Sequence, residues 1–215
     1  MAAWILSVFK DRSPLLMLTL FKSMVRSILE YCCAVWDPSK IGDIQALEAV
    51  QRHFTKRVAG CSDMDYWERL KKLKMLSLQR RRERYRIIHV WKILNKAAPN
   101  DIGMEFCQHI RQGTKARVPN FNAKAQMSFS TLYENSFGVK AARLWNLLPS
   151  HVNQQETLTG FKEALGAFLK IFPDTPPITG YTTINSNSLL DWSLAGGSRG
   201  GTIDGKRRPS VRPVS

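Results

Sequence analysis

"SLQRRRERYRIIHVWKILN", residues 77–95, reads as one helix whose two halves want different surroundings. Ser77 stands at the N-cap position, Arg80, Arg81, Arg82, Arg84 and Arg86 crowd the first turns, and Ile87, Ile88, Val90, Trp91, Ile93 and Leu94 fill the rest. Cations near a helix N-terminus oppose the macrodipole, which favours anions there by roughly 0.3–1 kcal/mol per exposed charge. Local helix stability therefore does not account for the arginines. They point all round the helix axis, and burying unpaired charge is costly. The pattern predicts a helix that projects its basic end from the core and builds its apolar end into it.

The rest of the chain can supply that core. It has 215 residues, 44% of them hydrophobic, which suits one domain with a tail or two small domains and excludes disorder throughout. A net charge of +15 favours anionic partners: nucleic acid, an acidic membrane surface or an acidic protein. Residues 61–96 hold eleven Lys or Arg against Asp63, Asp65, Glu68 and Glu83, a surplus of seven. Nearly half the excess charge thus sits in the segment that contains the arginine block.

Four cysteines, Cys32, Cys33, Cys61 and Cys107, are too few for a disulfide framework, and "MAAWILSVFKDRSP" lacks the basic start and cleavage site of a signal peptide. The expected location is intracellular, cytoplasmic or nuclear. Neither Cys32-Cys33 nor Cys107-Gln108-His109 has zinc-ligand spacing, so no metal or other cofactor is expected. The apolar stretch 15–36 carries Lys22, Arg26 and Glu30, which reads as a central core helix and not a membrane span.

Cap and period signals place the other helices. Ser13 and Pro14 open one that could reach Trp36. A second fits residues 40–59, with Leu47, Val50, Phe54 and Val58 inward, Gln51, Arg52, Thr55 and Lys56 outward, and Gly60 as its stop. A third fits residues 63–73. Beyond Pro99, residues 101–110 suit a short helix, and "KARVPNFNAKAQMSFSTLY" suits loop with room for a small hairpin. Asn135 would cap a helix over 137–148 and Thr157 one over 158–172. From Pro173 the composition turns to Pro, Gly, Ser, Thr and Asn. The expected fold is therefore mainly α and bundle-like: a helical region over 1–98, a second with an irregular segment over 99–172, and a flexible, disordered tail over 173–215. The tail's Lys206, Arg207 and Arg208 could serve as a nuclear address.

Arginine forks favour phosphate oxygens, so Arg80, Arg81, Arg82, Arg84 and Arg86 are the leading nucleic-acid contacts, extended by Lys71, Lys72 and Lys74 and backed by Arg52 and Lys56. The competing reading is a solvated surface whose long stems cover apolar neighbours. Trp36, Trp67, Trp91 and Trp145 could stack on bases, but their apolar settings favour core packing. For catalysis there is little. Asp63 and Asp65 suit caps better than a divalent-ion site, the four histidines are scattered, and no glycine-rich phosphate loop follows a strand.

The order of motifs adds a resemblance. "LTLFKSMVRSILEYCCAVWDPSKIGDIQALEAVQRHFTKRVAG" resembles the region after the polymerase core in reverse transcriptases of non-LTR retrotransposons, the LINE-like elements of the CR1 and jockey kind. Leu29-Glu30-Tyr31-Cys32, Val35-Trp36, Pro38, Asp43-Ile44, Leu47-Glu48, Val50-Gln51-Arg52 and Thr55-Lys56 carry it. It continues through "YWERLKKLKMLSLQRRRERYRIIHVWKILN", fades, and returns at "NSFGVKAARLWNLLPSHV", covering residues 5 to about 170. The resemblance implies a thumb-like helical fragment of an RNA-directed DNA polymerase, contacting RNA or an RNA–DNA hybrid, with a polymerase core as a further candidate partner. The family's Tyr-x-Asp-Asp motif is absent from this sequence, and two-metal phosphoryl transfer needs those carboxylates, so no enzymatic activity, small-molecule substrate or membrane role is expected. The alternatives are a domesticated helical protein-interaction module, an element remnant without function, and an independent enzyme using Asp63 and Asp65.

Overall fold

Pro14 takes the first helical position after a turn in which the Asp11 carboxylate accepts from the N–H and hydroxyl of Ser13. This turn separates α1 (Ala2–Val8) from α2 (Pro14–Leu20). The computed structural model describes residues 1–33, 36–99, 106–109, 120–123, 136–176 and 187–195. Helix α2 passes through a π-helical stretch (Phe21–Val25) into α3 (Arg26–Leu29). The hydroxyls of Thr19, Ser23 and Ser27 each donate to the carbonyl four residues back, a pattern that bends helices. The helix ends short of Trp36 and is not central. Met17, Phe21 and Val25, four residues apart, are buried, whereas Leu15, Ile28 and Tyr31 on the other side are exposed.

Next come α4 (Ile41–Lys56), α5 (Tyr66–Lys72) and the decisive α6 (Leu78–Leu94). Helix α4 stops earlier than expected, at the C-cap Arg57, and Gly60 takes its left-handed φ of +72° in the turn that follows and not as the helix terminator. Strands β1 (Phe106–His109) and β2 (Asn120–Ala123) pair antiparallel, Phe106 opposite Ala123. Residues 106–109 were expected in a helix; their backbone groups are satisfied across the ladder instead. The remaining helices are α7 (Phe137–Asn146), α8 (Ser150–Asn153), α9 (Leu158–Leu169) and α10 (Leu189–Ala195). The chain is mainly α, as its periodicity predicts.

Two apolar clusters form. One joins Ile5, Met17, Phe21, Phe54, Val58, Tyr66 and Leu70 from α1 to α5. The other gathers the apolar half of α6 with α7, α8 and α9, where Phe161 stacks on both Trp91 and Trp145 at centroid distances of 5.6 and 5.8 Å. Leu189 of α10 is buried in this second cluster. The tail expected from Pro173 is thus corrected over 187–195, where apolar Leu189 and Leu190 give a helix something to bury. The expected Asn135 cap and the basic Lys206, Arg207 and Arg208 lie outside the described residues.

Candidate functional site

Helix α6 begins as its sequence predicts, with the Ser77 hydroxyl accepting from the Arg80 N–H at 3.2 Å. Its other free amides find partners from afar. The Glu48 carboxylate of α4 accepts from the Leu78 N–H at 3.0 Å and the Gln79 N–H at 3.4 Å, and Asp174 accepts from the Ser77 N–H at 2.6 Å. Carboxylates here match the positive end of the dipole. Burial pushes the Glu48 carboxyl up, opposed by the hydrogen bond from the Tyr66 hydroxyl.

The arginine block does not project. Arg80, Arg82 and Arg86 retain only 1, 3 and 4% exposure, which overturns the expectation that charge in every direction keeps the basic end in solvent. Each finds acceptors on a different segment. Arg80 donates to the Asn187 side-chain and main-chain oxygens and to the Pro173 carbonyl, with Asp174 at 3.8 Å. Arg81, half-buried, pairs with Glu30 and donates to the Tyr85 hydroxyl at 2.7 Å. Arg82 donates to the Leu29 carbonyl at 2.9 Å and lies over the Trp36 ring. Arg86 donates to Asp37 at 2.6 Å. The first half of α6 therefore serves as a polar strut between α3, the Asp37 segment, Pro173-Asp174 and Asn187. Paired, hydrogen-bonded guanidinium can be buried where unpaired charge cannot.

Glu83, on the same helix, was counted only as an offsetting charge. It accepts from the Ser188 hydroxyl at 2.5 Å and the Leu189 N–H at 3.0 Å, opening α10 as an N-terminal acid. Burial pushes its carboxyl up to about 7. No sequence spacing could have paired Glu83 with Ser188, or Arg86 with Asp37, since 105 and 49 residues separate them.

The other candidate cations divide cleanly from the block. Arg52, Lys56, Lys71, Lys72 and Lys74 are all exposed, and none makes an ion pair among the described residues. Arg52 and Lys56 lie in the second half of α4, Lys71 and Lys72 at the end of α5, and Lys74 just after it. Arg69 of α5 donates to the Arg52 carbonyl at 3.3 Å, and Lys72 donates to the Gly60 carbonyl at 2.7 Å, so the C-terminal ends of α4 and α5 lie together. Arg57, exposed at the end of α4, extends this surface and was missed, although its place next to Lys56 was a signal. Arg84 is half-buried and makes no ion pair among the described residues. The α4 pattern needs one correction: Gln51 and Thr55, expected outside, are fully buried. The Gln51 amide donates to the Tyr66 hydroxyl and the Leu76 carbonyl, and the Thr55 hydroxyl donates to the Gln51 carbonyl, which makes their burial tolerable.

Asp65 caps α5 by accepting from the Trp67 N–H at 3.0 Å, the cap role its sequence position favours. No group of His, Cys, Asp and Glu suited to a metal ion occurs among the described residues, and no helix among them is long and apolar enough to cross a membrane. Trp91 and Trp145 are core residues, whereas Trp36 keeps 41% exposure under Arg82. Compared with known proteins, the chain matches no family model, no curated protein and no solved structure.

Proposed function

We propose that this chain is a non-catalytic, thumb-like helical segment of a LINE-type reverse transcriptase, holding RNA or an RNA–DNA hybrid by its phosphate backbone. The observation that carries the reading is the exposed row Arg52, Lys56, Lys71, Lys72 and Lys74, five cations on adjacent helix ends with no ion-pair partner among the described residues. Such contacts position a strand without reading its sequence. Arg80, Arg82 and Arg86 hold the fold that presents these cations. Neutralising the row while leaving the block intact tests this: hybrid binding should weaken and lose salt dependence.

A second reading, a helical scaffold for a protein partner such as a polymerase core, draws on a different observation. Trp4, Val8, Leu15, Ile28 and Tyr31 keep 53, 51, 82, 58 and 73% exposure on the N-terminal helices and the turn after α3. Large apolar side chains left exposed on successive elements are available to be covered by a partner.

A further inference from the structure

A cavity of about 210 Å³ opens beside the arginine block, between the Asp37 segment, α6, α7 and α10. Its charged lining consists of Arg82, Arg86 and Lys140 on one side of the balance and Asp37, Glu83 and Asp191 on the other. The three cations converge on one carboxylate: Asp37 lies 2.6 Å from Arg86, 3.9 Å from Arg82 and 3.9 Å from Lys140. Glu83 is committed elsewhere, to Ser188 and Leu189, and burial holds its carboxyl near 7, so it is partly protonated at neutral pH.

Donors exceed acceptors at this point. Arg82 and Arg86 are more than nine-tenths buried, yet the Nε of each makes no hydrogen bond. A buried donor left unpaired costs about 1–3 kcal/mol, and a guanidinium fork is shaped for two parallel bonds to one anion. The rings of Trp36 and Phe137, 5.3 and 5.7 Å from the two guanidinium carbons, help fix the forks in place. Lys140 and Asp37 keep 18 and 19% side-chain exposure and Ser39 is exposed, which leaves a way in from solvent. At this size the cavity is below the roughly 300–1,000 Å³ of sites for drug-sized ligands, so it suits one small anion and not a whole nucleotide.

We propose that this cavity is a binding site for a single phosphate group, held by Arg82, Arg86 and Lys140, with the Asp37 carboxylate standing in for the anion when it is absent. A phosphate dianion brings more oxygens and one more charge than Asp37 does, matching the surplus of donors. The ligand is either free inorganic phosphate or the phosphomonoester end of a strand. The site is independent of the surface row, because none of Arg52, Lys56, Lys71, Lys72 and Lys74 lines the phosphate cavity.

Calorimetric titration of the full chain tests this, using inorganic phosphate, a short 5′-phosphorylated oligonucleotide and its unphosphorylated twin, with folding checked by circular dichroism. Wild type should bind inorganic phosphate, Lys140→Gln should bind it about tenfold more weakly, and Asp37→Asn, which removes the competing charge, about tenfold more tightly. If the phosphorylated strand outbinds its twin and competes with inorganic phosphate, the site takes strand ends; if only inorganic phosphate binds and Lys140→Gln weakens it, the ligand is the free ion. The proposal is overturned if neither folded wild type nor folded Asp37→Asn binds phosphate at millimolar concentration, or if Lys140→Gln leaves binding unchanged. A strand that binds equally well with and without its phosphate, while inorganic phosphate does not bind, reports the surface row alone and also overturns it.

Discussion

The Arg86 guanidinium meets the Asp37 carboxylate at 2.6 Å, joining the middle of α6 to the segment that precedes α4. Arg82 and Lys140 approach the same carboxylate, so one acid compensates three cations. Asp37→Ala should therefore destabilise the chain by about 3–5 kcal/mol, the range for breaking a buried pair and stranding the partner charge. Asp37→Asn keeps an acceptor oxygen and should cost less. Urea unfolding of both variants measures the difference, and equal midpoints for wild type and Asp37→Ala would refute the strut.

Glu83 makes stability depend on pH in an unusual direction. Its folded pKa of about 7 lies above the ordinary 4.5, so between those values the folded state holds more protons than the unfolded one. Its contribution is greatest below pH 4.5 and is lost as pH rises through 7, by about 3 kcal/mol in all. Burial shifts Glu48 in the same sense. Unfolding free energies at pH 5 and pH 8 should fall for wild type, and Glu83→Gln should flatten most of that slope.

The 187–195 region should behave as part of the folded body. Leu189 is 2% exposed, and Leu189→Ala should cost about 2–5 kcal/mol by the cavity it leaves. Asn187 bonds Arg80 and Ser77, so Asn187→Ala should cost about 1–3 kcal/mol through the partners it abandons. Thermal melts that did not move for either variant would mean this segment carries no load.

Phe161 lies stacked between Trp91 and Trp145. Phe161→Ala should cost about 3–5 kcal/mol and should also change tryptophan emission, since both indoles would face the vacated space. A folded variant with unchanged emission would contradict this packing.

The helices were legible because their signals are local. Ser77, Asp65 and Thr157 cap as their positions suggest, and Pro14 starts α2. The arginine block was misread because its compensation is not local. Charge on all sides of a helix implies solvent only if no acid can reach it, and Glu30, Asp37 and Asp174 come from segments 49 to 94 residues away. Gln51 was misplaced for the same reason, its partners lying on α5 and in the turn after it, whereas Thr55 is satisfied locally by donating to the Gln51 carbonyl. The exposed lysines at the end of α5 and just after it were legible as surface because lysine is almost never fully buried unless it is paired.

The cations form two sets, one that holds the fold and one that we propose holds nucleic acid. The direct test is fluorescence anisotropy of an RNA–DNA hybrid across a salt series, comparing wild type, a Lys71→Gln/Lys72→Gln/Lys74→Gln triple variant and a Lys162→Gln/Lys170→Gln control altered at exposed positions on α9 and at its C-cap. The triple variant should stay folded, bind more weakly and lose about 0.9 units of salt slope per contact removed, taking duplex DNA as the guide, while the control tracks wild type. Folded wild type that shows no salt-dependent binding, or a triple variant indistinguishable from the control, would contradict the claim that this row meets the phosphate backbone.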